Sequence, residues 1–351
     1  MYLSEYLKRG NNNLDLARIV LALMVIVGHS AALHPRDGWI DPVSLFFPFT
    51  YSGALAVKGF FLVSGILVAN SAMDKKDIYS FLSSRFLRIF PGLLFVVVIT
   101  AFIIGPLFST LSINEYLRTI EPFKYVAETI TMRVNYFLPG VFTGNADGGS
   151  VNGSLWTIPY EVSMYCVMIG LFYLSGFNKK IITSASLLII FSPVFMSNPP
   201  MGSTISAEIY PLQSCFFTGV LFAIYKDKLK VNLMLPFIFA LLYMSIKNEI
   251  MMYISFYISF ASFVVVISGF SFIKKIKIKK DISYGVYLWG FPVQQSISYM
   301  FNDISTLSHI MLSIAVTIPI AYFSFVFFIE SPAINLSKKI IKHKSESQAH
   351  P

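Results

Sequence analysis

The chain has 351 residues, of which 55% are hydrophobic, 16% aromatic and 13% charged, and it carries a formal net charge of +9. With a mean hydropathy of +0.67, this composition excludes an ordinary soluble domain and predicts an all-α polytopic membrane protein. Cys166 and Cys215 both fall in apolar stretches, so neither a disulfide framework nor a cysteine metal site is indicated.

Ten apolar stretches have about the length that a helix needs to cross a bilayer. They lie at 14–33, 53–71, 90–108, 154–176, 181–197, 208–225, 231–246, 250–272, 282–300 and 308–329. Most of the 27 Lys and Arg residues cluster at alternate ends of these stretches. The opposite side holds only Arg36, Arg118, Lys124, Arg133 and Lys247. By the positive-inside rule we expect both termini in the cytoplasm, with the basic runs contacting anionic lipid rather than nucleic acid.

A single membrane domain over 1–336 and a basic, disordered cytoplasmic tail over 337–351 are expected from this pattern. No cleavable signal peptide is predicted, because the first apolar stretch runs into a charged loop without an Ala-x-Ala site. The first span is therefore expected to stay in the protein.

The first span, LDLARIVLALMVIVGHS, carries Asp15, Arg18 and His29, although each such residue costs a few kcal/mol inside a membrane helix. An α-helix places Arg18 and His29 within roughly 20° of one face and about 16 Å apart along the axis. Asp15 falls within roughly 60° of that face. One polar stripe therefore joins a charged end of the helix to an imidazole deeper in the membrane. The alternative is that Asp15 and Arg18 merely pair with each other at the interface.

The second span contains Lys58 among small residues, which leaves open whether its ammonium snorkels outward or enters a polar cavity. Arg85 and Arg88 follow at i, i+3 spacing, so both project from one helical face. Two guanidinium groups in this arrangement suit a phosphate, and cytoplasmic anchoring explains the pair equally well. Pro91 and Gly92 predict a helix break before the third span.

The longest stretch between predicted spans ends in LPGVFTGNADGGSVNGS, which predicts an outer loop that covers a site or meets an acceptor. It leads into LWTIPYEVSMYCV, where Trp156 and Tyr160 suit a membrane interface and Glu161 lies inside an apolar span. An intramembrane carboxylate normally faces a partner or a wet cavity. Glu161 is therefore either part of a site or paired structurally with Lys58 or Arg18.

The ordered motifs LDLARIVLALMVIVGHS, FFLVSG, RFLRIFP, NGSLWTIPYE, ISYGVYLWGFP and FIESPA resemble the acyltransferase-three family of integral-membrane O-acyltransferases over nearly the whole chain. The resemblance implies a ten-helix membrane fold that moves an acetyl or other short acyl group from cytoplasmic acyl-CoA to a sugar or lipid-linked glycan. It also implies roles for residues of the matching motifs: His29 as the catalytic histidine, Asp15 and Arg18 as its supporting polar pair, Arg85 and Arg88 as the cytoplasmic RxxR motif, and Glu161 as the carboxylate after the LW pair.

One departure from the family concerns the residue after YLW, which is a histidine in many members and Gly290 in this chain. A second catalytic histidine at that position is therefore excluded, and His29 becomes the expected base. A CoA thioester is already activated, so transfer to a hydroxyl group needs a base, donors for the oxyanion and two aligned substrates. Direct transfer is expected rather than an acyl-enzyme, because the other candidate nucleophiles, Ser30 and Ser64, show no triad pattern.

The sequence thus predicts a bacterial inner-membrane O-acetyltransferase that uses acetyl-CoA, without a metal, to acetylate a surface polysaccharide or its lipid-linked precursor. The expected site residues are His29, Glu161 and Asp15 for catalysis, Arg18, Arg85 and Arg88 for acyl-CoA, and Lys58, Trp156 and Tyr160 for the acceptor. The alternatives are transfer of another acyl group, such as succinyl, to a glycan or small glycoside, and a proton-coupled transporter or flippase. The sequence shows no paired halves, which argues against transport.

Overall fold

The computed structural model describes residues 1–8, 10–195 and 204–326, without the side chains of 193–195 and 204–210. The helices of these ranges are α1 (Leu3–Tyr6), α2 (Leu14–Leu33), α3 (Pro42–Phe46), α4 (Ser52–Lys75), α5 (Ile78–Ile99), α6 (Gly105–Phe108), α7 (Ile113–Arg118), α8 (Glu121–Ile130), α9 (Thr157–Leu174), α10 (Lys179–Phe195), α11 (Thr204–Ile224), α12 (Met234–Ser245), α13 (Glu249–Ser268), α14 (Ser271–Lys275), α15 (Ser283–Met300) and α16 (Thr306–Phe323). A π-helical turn, Thr100–Ile104, joins α5 to α6, and a 3₁₀ turn, Gly153–Trp156, leads into α9.

Six helical segments of the described ranges are long and apolar enough to cross a membrane, which confirms the prediction of an all-α polytopic membrane protein. They are Leu14–Leu33, Ser52–Lys75, Ile78–Phe108, Gly153–Leu174, Glu249–Ser268 and Thr306–Val326. The four other predicted spans coincide with α10, α11, α12 and α15, which are not among the six. Ten crossings and cytoplasmic termini therefore remain predictions. The predicted tail at 337–351 lies outside the described residues.

The third predicted span differs from the expectation at its start. Pro91 lies inside α5, which continues from Ile78 to Ile99, so the predicted break at Pro91 and Gly92 is wrong. A proline removes one intrahelical hydrogen bond, but neighbouring groups in a packed membrane protein make that loss tolerable. As a consequence, Arg85 and Arg88 stand on the same continuous helix as the apolar residues that follow them.

The chain divides into two compact units. The first unit comprises Met1–Val25, Pro42–Phe81 and Thr157–Asp281, and the second comprises Ile26–Asp41, Leu82–Trp156 and the chain from Ile282 onward.

In the first unit α4 is the central helix, because 83% of its apolar window is buried, compared with 39% for α2 and α13. α4 packs on α11 through two glycines. A Cβ added at Gly65 would lie 2.1 Å from the carbonyl oxygen of Phe216, and one added at Gly219 would lie 2.3 Å from that of Leu62. The two backbones therefore touch directly, as small residues allow in membrane helix pairs.

In the second unit α15 is the buried helix that the others surround. Its aromatic residues carry polar atoms that bond to neighbouring segments. Tyr287 Oη donates to the carbonyl oxygen of Ser154 at 2.7 Å, and Trp289 Nε1 donates to Ser324 Oγ at 3.0 Å. Tyr284 Oη donates to the carbonyl oxygen of Ile89 at 3.1 Å. These bonds attach α15 to α5, to the end of α16 and to the turn before α9, which fixes its rotation in the unit.

We expect Gly65→Ala and Gly219→Ala each to lower the free energy of unfolding by about 1–3 kcal/mol, because the added methyl group forces α4 and α11 apart. Gly170→Ala is the matched control, since its Cβ would have no neighbour within 4 Å. It should be neutral or slightly stabilising, as alanine favours helix more than glycine does. Thermal unfolding of the purified protein in detergent measures the difference. A Gly65→Ala protein that melts like wild type would contradict the close packing.

Candidate active site

The predicted site residues divide between the two units. The first unit contains Asp15, Arg18, Lys58, Tyr160 and Glu161, and the second contains His29, Arg85, Arg88 and Trp156. α2 carries residues of both sets, because Asp15 and Arg18 lie near its N-terminus and His29 near its C-terminus.

In the first unit Arg18 forms a salt bridge that the sequence did not predict. Its Nη1 donates to Asp281 Oδ2, and the two side chains are only 17% and 11% exposed. Asp15, by comparison, is exposed. The carboxylate of Asp281 partly neutralises the guanidinium charge within the fold, so Arg18 is already engaged before any phosphate arrives. Its role as a CoA contact stays a prediction.

Glu161 in α9 is held by hydroxyl groups. Its Oε1 accepts a hydrogen bond from Tyr165 Oη, one helical turn away, and another from Ser64 Oγ of α4 at 3.4 Å. Ser64 Oγ and Tyr165 Oη are themselves 2.6 Å apart. The three side chains form a part-buried group of one carboxylate and two hydroxyls. Such a group can accept or donate hydrogen bonds to a sugar hydroxyl.

Lys58 in α4 is 2% exposed, so the interpretation that it snorkels outward is wrong. Its Nζ lies 5.7 Å from the centre of the Tyr257 ring, which stabilises the buried ammonium through its π-face. The local sequence did not settle the direction of this side chain, because the packing of α4 decides it. Trp156 and Tyr160 are both part-exposed, at the end of the 3₁₀ turn and in the first turn of α9.

His29 in the second unit has an unsatisfied ring nitrogen. Its Nδ1 is buried and has no hydrogen-bond partner among the residues that the structure describes, while the residue as a whole is part-exposed. Its ring packs edge-on against Phe291 of α15, with 5.2 Å between the ring centres. The imidazole is thus oriented by an apolar contact and keeps hydrogen-bonding capacity for another molecule.

Two further histidines of the second unit are satisfied, and the sequence analysis missed both because they belong to no motif. His34 and His309 are 3% and 0% exposed, and their rings stack with 4.7 Å between centres. His34 bonds to Ser298 Oγ at 3.2 Å and to the carbonyl oxygen of Ile304 at 2.8 Å. Both nitrogens of His309 also lie within 3.2 Å of polar atoms. These two imidazoles hold helices together, in contrast to His29.

Arg85 and Arg88 lie one turn apart on α5 and are both part-exposed. Phe86 lies between the two arginines in the sequence and Phe90 follows them, and their rings stack with 4.5 Å between centres. Arg85 Nε makes a long contact of 3.4 Å with Ser84 Oγ. Two part-exposed guanidinium groups on one helical face can hold a phosphate anion, so the structure is compatible with the predicted role of this pair.

Asp147 is a charged residue near His29 that the sequence did not single out. It lies in the Gly-rich loop before α9, accepts hydrogen bonds from Gln295 Nε2 and Ser150 Oγ at 2.6 Å each, and interacts electrostatically with the His29 imidazole. The residue lies far from His29 in the chain, and no local spacing pattern links the two. Only the Gly- and Asn-rich composition of the loop could have drawn attention to it.

Comparison with known proteins decides the family. The family described as "Acyltransferase domain", the acyltransferase-three type, matches residues 11–327. The chain belongs to the acyltransferase-three family. The resemblance seen in the sequence motifs is thereby confirmed, and the protein is an acyltransferase.

Two curated relatives of this acyltransferase match along different lengths. An O-acetyl transferase of Shigella phage Sf6 is 29% identical over 302 residues, which cover 82% of this chain and 86% of that protein. Nodulation protein 10 of Rhizobium leguminosarum bv. viciae is 30% identical over 173 residues, covering 47% of this chain and 45% of that protein. No solved structure matches the acyltransferase.

The structure also explains how this acyltransferase accommodates Gly290 where many family members carry a histidine. A Cβ added at Gly290 would lie 3.1 Å from Cγ1 of Ile26. The isoleucine side chain therefore occupies the space that a larger residue at this position would need. His29 remains the expected base.

We expect Asp281→Asn and Arg18→Gln to destabilise the acyltransferase, because each removes one charge of a largely buried ion pair. Loss of one partner of a buried pair costs up to about 3–5 kcal/mol. The charge exchange Arg18→Asp with Asp281→Arg should recover part of the loss. Lys8→Gln is the control, since its bridge to Glu5 is exposed, with side chains 64% and 52% accessible, and should contribute at most about 1 kcal/mol. Thermal unfolding in detergent measures the stability of these variants. Equal losses of stability at the Arg18–Asp281 and Lys8–Glu5 bridges would contradict a structural role for the buried pair.

Proposed function

We propose that this acyltransferase moves an acetyl group from acetyl-CoA to a hydroxyl group of a bacterial surface polysaccharide or its lipid-linked precursor, in the inner membrane. The family supports acyl transfer, and the phage relative is named an O-acetyl transferase, which supports both the acetyl group and the oxygen acceptor.

The observation that carries the proposal is the buried Nδ1 of His29, which has no hydrogen-bond partner within residues 1–8, 10–195 and 204–326. A buried polar atom without a partner costs about 1–3 kcal/mol. His34 and His309, in the same unit, avoid that cost through their hydrogen bonds. An imidazole that keeps an open nitrogen beside an apolar ring is placed to take a proton from a bound molecule, and histidine is the side chain most often used as a general base.

The proposed reaction is a direct transfer with His29 as the general base. The imidazole takes the proton of the acceptor hydroxyl as the oxygen attacks the thioester carbonyl carbon. The new C–O bond forms, the C–S bond breaks, and CoA leaves as a thiolate. The imidazolium then returns its proton to the thiolate sulfur, so the enzyme is restored without oxidation or reduction.

The other predicted residues have supporting roles in this proposal. Arg85 and Arg88 hold the phosphates of CoA, since both are part-exposed on one helical face. Glu161, with its two hydroxyl neighbours, is the acceptor-side carboxylate. Part-exposed Trp156 and Tyr160 are the proposed acceptor contacts. Arg18 is a further proposed contact for acyl-CoA, Asp15 supports catalysis from the same helix as His29, and Lys58, which is 2% exposed, is a further proposed acceptor contact.

We expect His29→Ala to abolish acetylation, because the base is removed. The measurement is the acetyl signal of surface polysaccharide by proton NMR, in a strain that lacks the gene and is complemented at matched membrane levels. His34→Gln is the control: it disturbs the stacked pair and lowers the amount of folded protein, but acetylation per folded protein should persist. Full restoration by His29→Ala would refute the base. If complementation with the wild-type gene restores a succinyl signal, or no acyl signal at all, the acetyl assignment is wrong.

We expect the double variant Arg85→Gln, Arg88→Gln to bind CoA about 100-fold more weakly or worse, because hydrogen bonds from charged donors to phosphate contribute about 1.5–3 kcal/mol each. The shift of the melting temperature on titration with CoA measures the affinity. The double variant Lys75→Gln, Lys179→Gln removes the same charge from exposed positions and should leave binding unchanged. A wild-type protein that CoA does not stabilise would favour a transporter instead.

A further inference from the structure

The loop 143–151 is attached to α15 by one buried side chain, Gln295. This residue is 0% exposed and uses both ends of its amide. Its Oε1 accepts from Asn145 Nδ2 at 2.7 Å, while its Nε2 donates to Asp147 Oδ1 and to the carbonyl oxygen of Ser150, both at 2.6 Å. Because a buried amide is stable only when it is satisfied, these bonds give a Gly-rich loop a defined position on α15.

The Asp147 carboxylate is held in one orientation by three donors. Oδ1 accepts from Gln295 Nε2 at 2.6 Å and from the backbone nitrogen of Gly149 at 3.2 Å, and Oδ2 accepts from Ser150 Oγ at 2.6 Å. Three donated hydrogen bonds match the acceptor-only character of an ionised carboxylate. The side chain therefore presents a fixed negative charge rather than a mobile one.

The position of this charge relative to His29 follows from α15. Phe291 and Gln295 are one turn apart, so they lie on the same face of the helix. Phe291 contacts the His29 ring at 5.2 Å between centres, and Gln295 holds Asp147 at 2.6 Å. The carboxylate thus lies on the side of α15 that faces the imidazole, and the two groups interact electrostatically.

We propose that Asp147 is a positioning residue for the acyl transfer, whose fixed negative charge stabilises the imidazolium that His29 becomes on taking the acceptor proton. The inference rests on the proposed function. In the apolar interior an isolated cation is costly, and an anion already oriented toward it lowers that cost without reorganisation. The proton passes from the acceptor oxygen to His29 and then to the CoA thiolate.

Three variants separate the effect of the Asp147 charge from the effect of the loop's attachment. Asp147→Asn keeps the side-chain volume and the Oδ1 that accepts from Gln295, but it removes the charge. Gln295→Leu removes the attachment of the loop and keeps the charge. Ser150→Ala removes one hydrogen bond and keeps both the charge and the attachment. If the role is electrostatic, Asp147→Asn should strongly lower the rate of the chemical step. If the role is only structural, Gln295→Leu should lower both the thermal stability and the transfer rate more than Asp147→Asn does.

The experiment measures transfer of radiolabelled acetyl from acetyl-CoA into membrane vesicles of the polysaccharide-producing strain, with each variant at matched levels. We expect Asp147→Asn to lower the rate at saturating acetyl-CoA by about 10- to 100-fold. Its KM for acetyl-CoA and its melting temperature should stay near those of wild type. Ser150→Ala should lose less than about 3-fold, since the charge remains.

His29→Ala vesicles are measured in parallel to separate two kinds of failure. Transfer that depends on His29 but proceeds at the wild-type rate in Asp147→Asn would overturn the role of Asp147 alone. A lower transfer rate in Asp147→Asn that is accompanied by a clearly lower melting temperature would also overturn the role of Asp147, because the residue would then only hold the loop in place. Transfer that is equal in wild-type and His29→Ala vesicles would overturn the proposed function and this inference together.

Discussion

The need to give every polar group a partner inside an apolar helical protein governs this structure. A charged or polar side chain removed from water without a partner is costly, and more so where the surroundings are hydrocarbon-like. Arg18 meets this requirement through Asp281, and Glu161 through two hydroxyl groups. His34 and His309 meet it within a compact network of hydroxyl and carbonyl groups. The Nδ1 of His29, which has no partner among the described residues, therefore distinguishes this histidine from His34 and His309 in the same unit.

The class of fold could be predicted from the sequence because bilayer length and hydropathy are properties of single segments. Features that depend on several segments could not be predicted. Pro91 lies within α5, although proline usually breaks a helix, since surrounding helices decide whether the lost hydrogen bond is tolerated. The direct backbone contact between Gly65 and α11 is equally invisible in either segment alone. Small residues in α4 indicate that something packs closely there, but not which helix does so.

The candidate site shows the same division between local and distant information. His29 could be found because an imidazole in an apolar span is unusual by itself, and the ordered motifs then led to the family. Asp281, which pairs with Arg18, lies in the basic linker before α15, and Asp147 lies in a loop whose position depends on Gln295. Neither relation has a fixed spacing. The direction of Lys58 is a further example, since a lysine in a span can point outward or inward and only the surrounding packing, with the Tyr257 ring beside its ammonium, settles it.

The contact between Gly290 and Ile26 constrains how this chain can diverge from its relatives. A Cβ at position 290 would lie 3.1 Å from Cγ1 of Ile26, so a larger residue there needs either a shift of the isoleucine side chain or a smaller residue at position 26. Introducing the larger residue first passes through an overpacked intermediate that costs about 1–3 kcal/mol, a large fraction of the stability of most proteins. The two positions are therefore epistatic. A mutational path that introduces a histidine after the YLW motif therefore costs less stability when the residue at position 26 becomes smaller first.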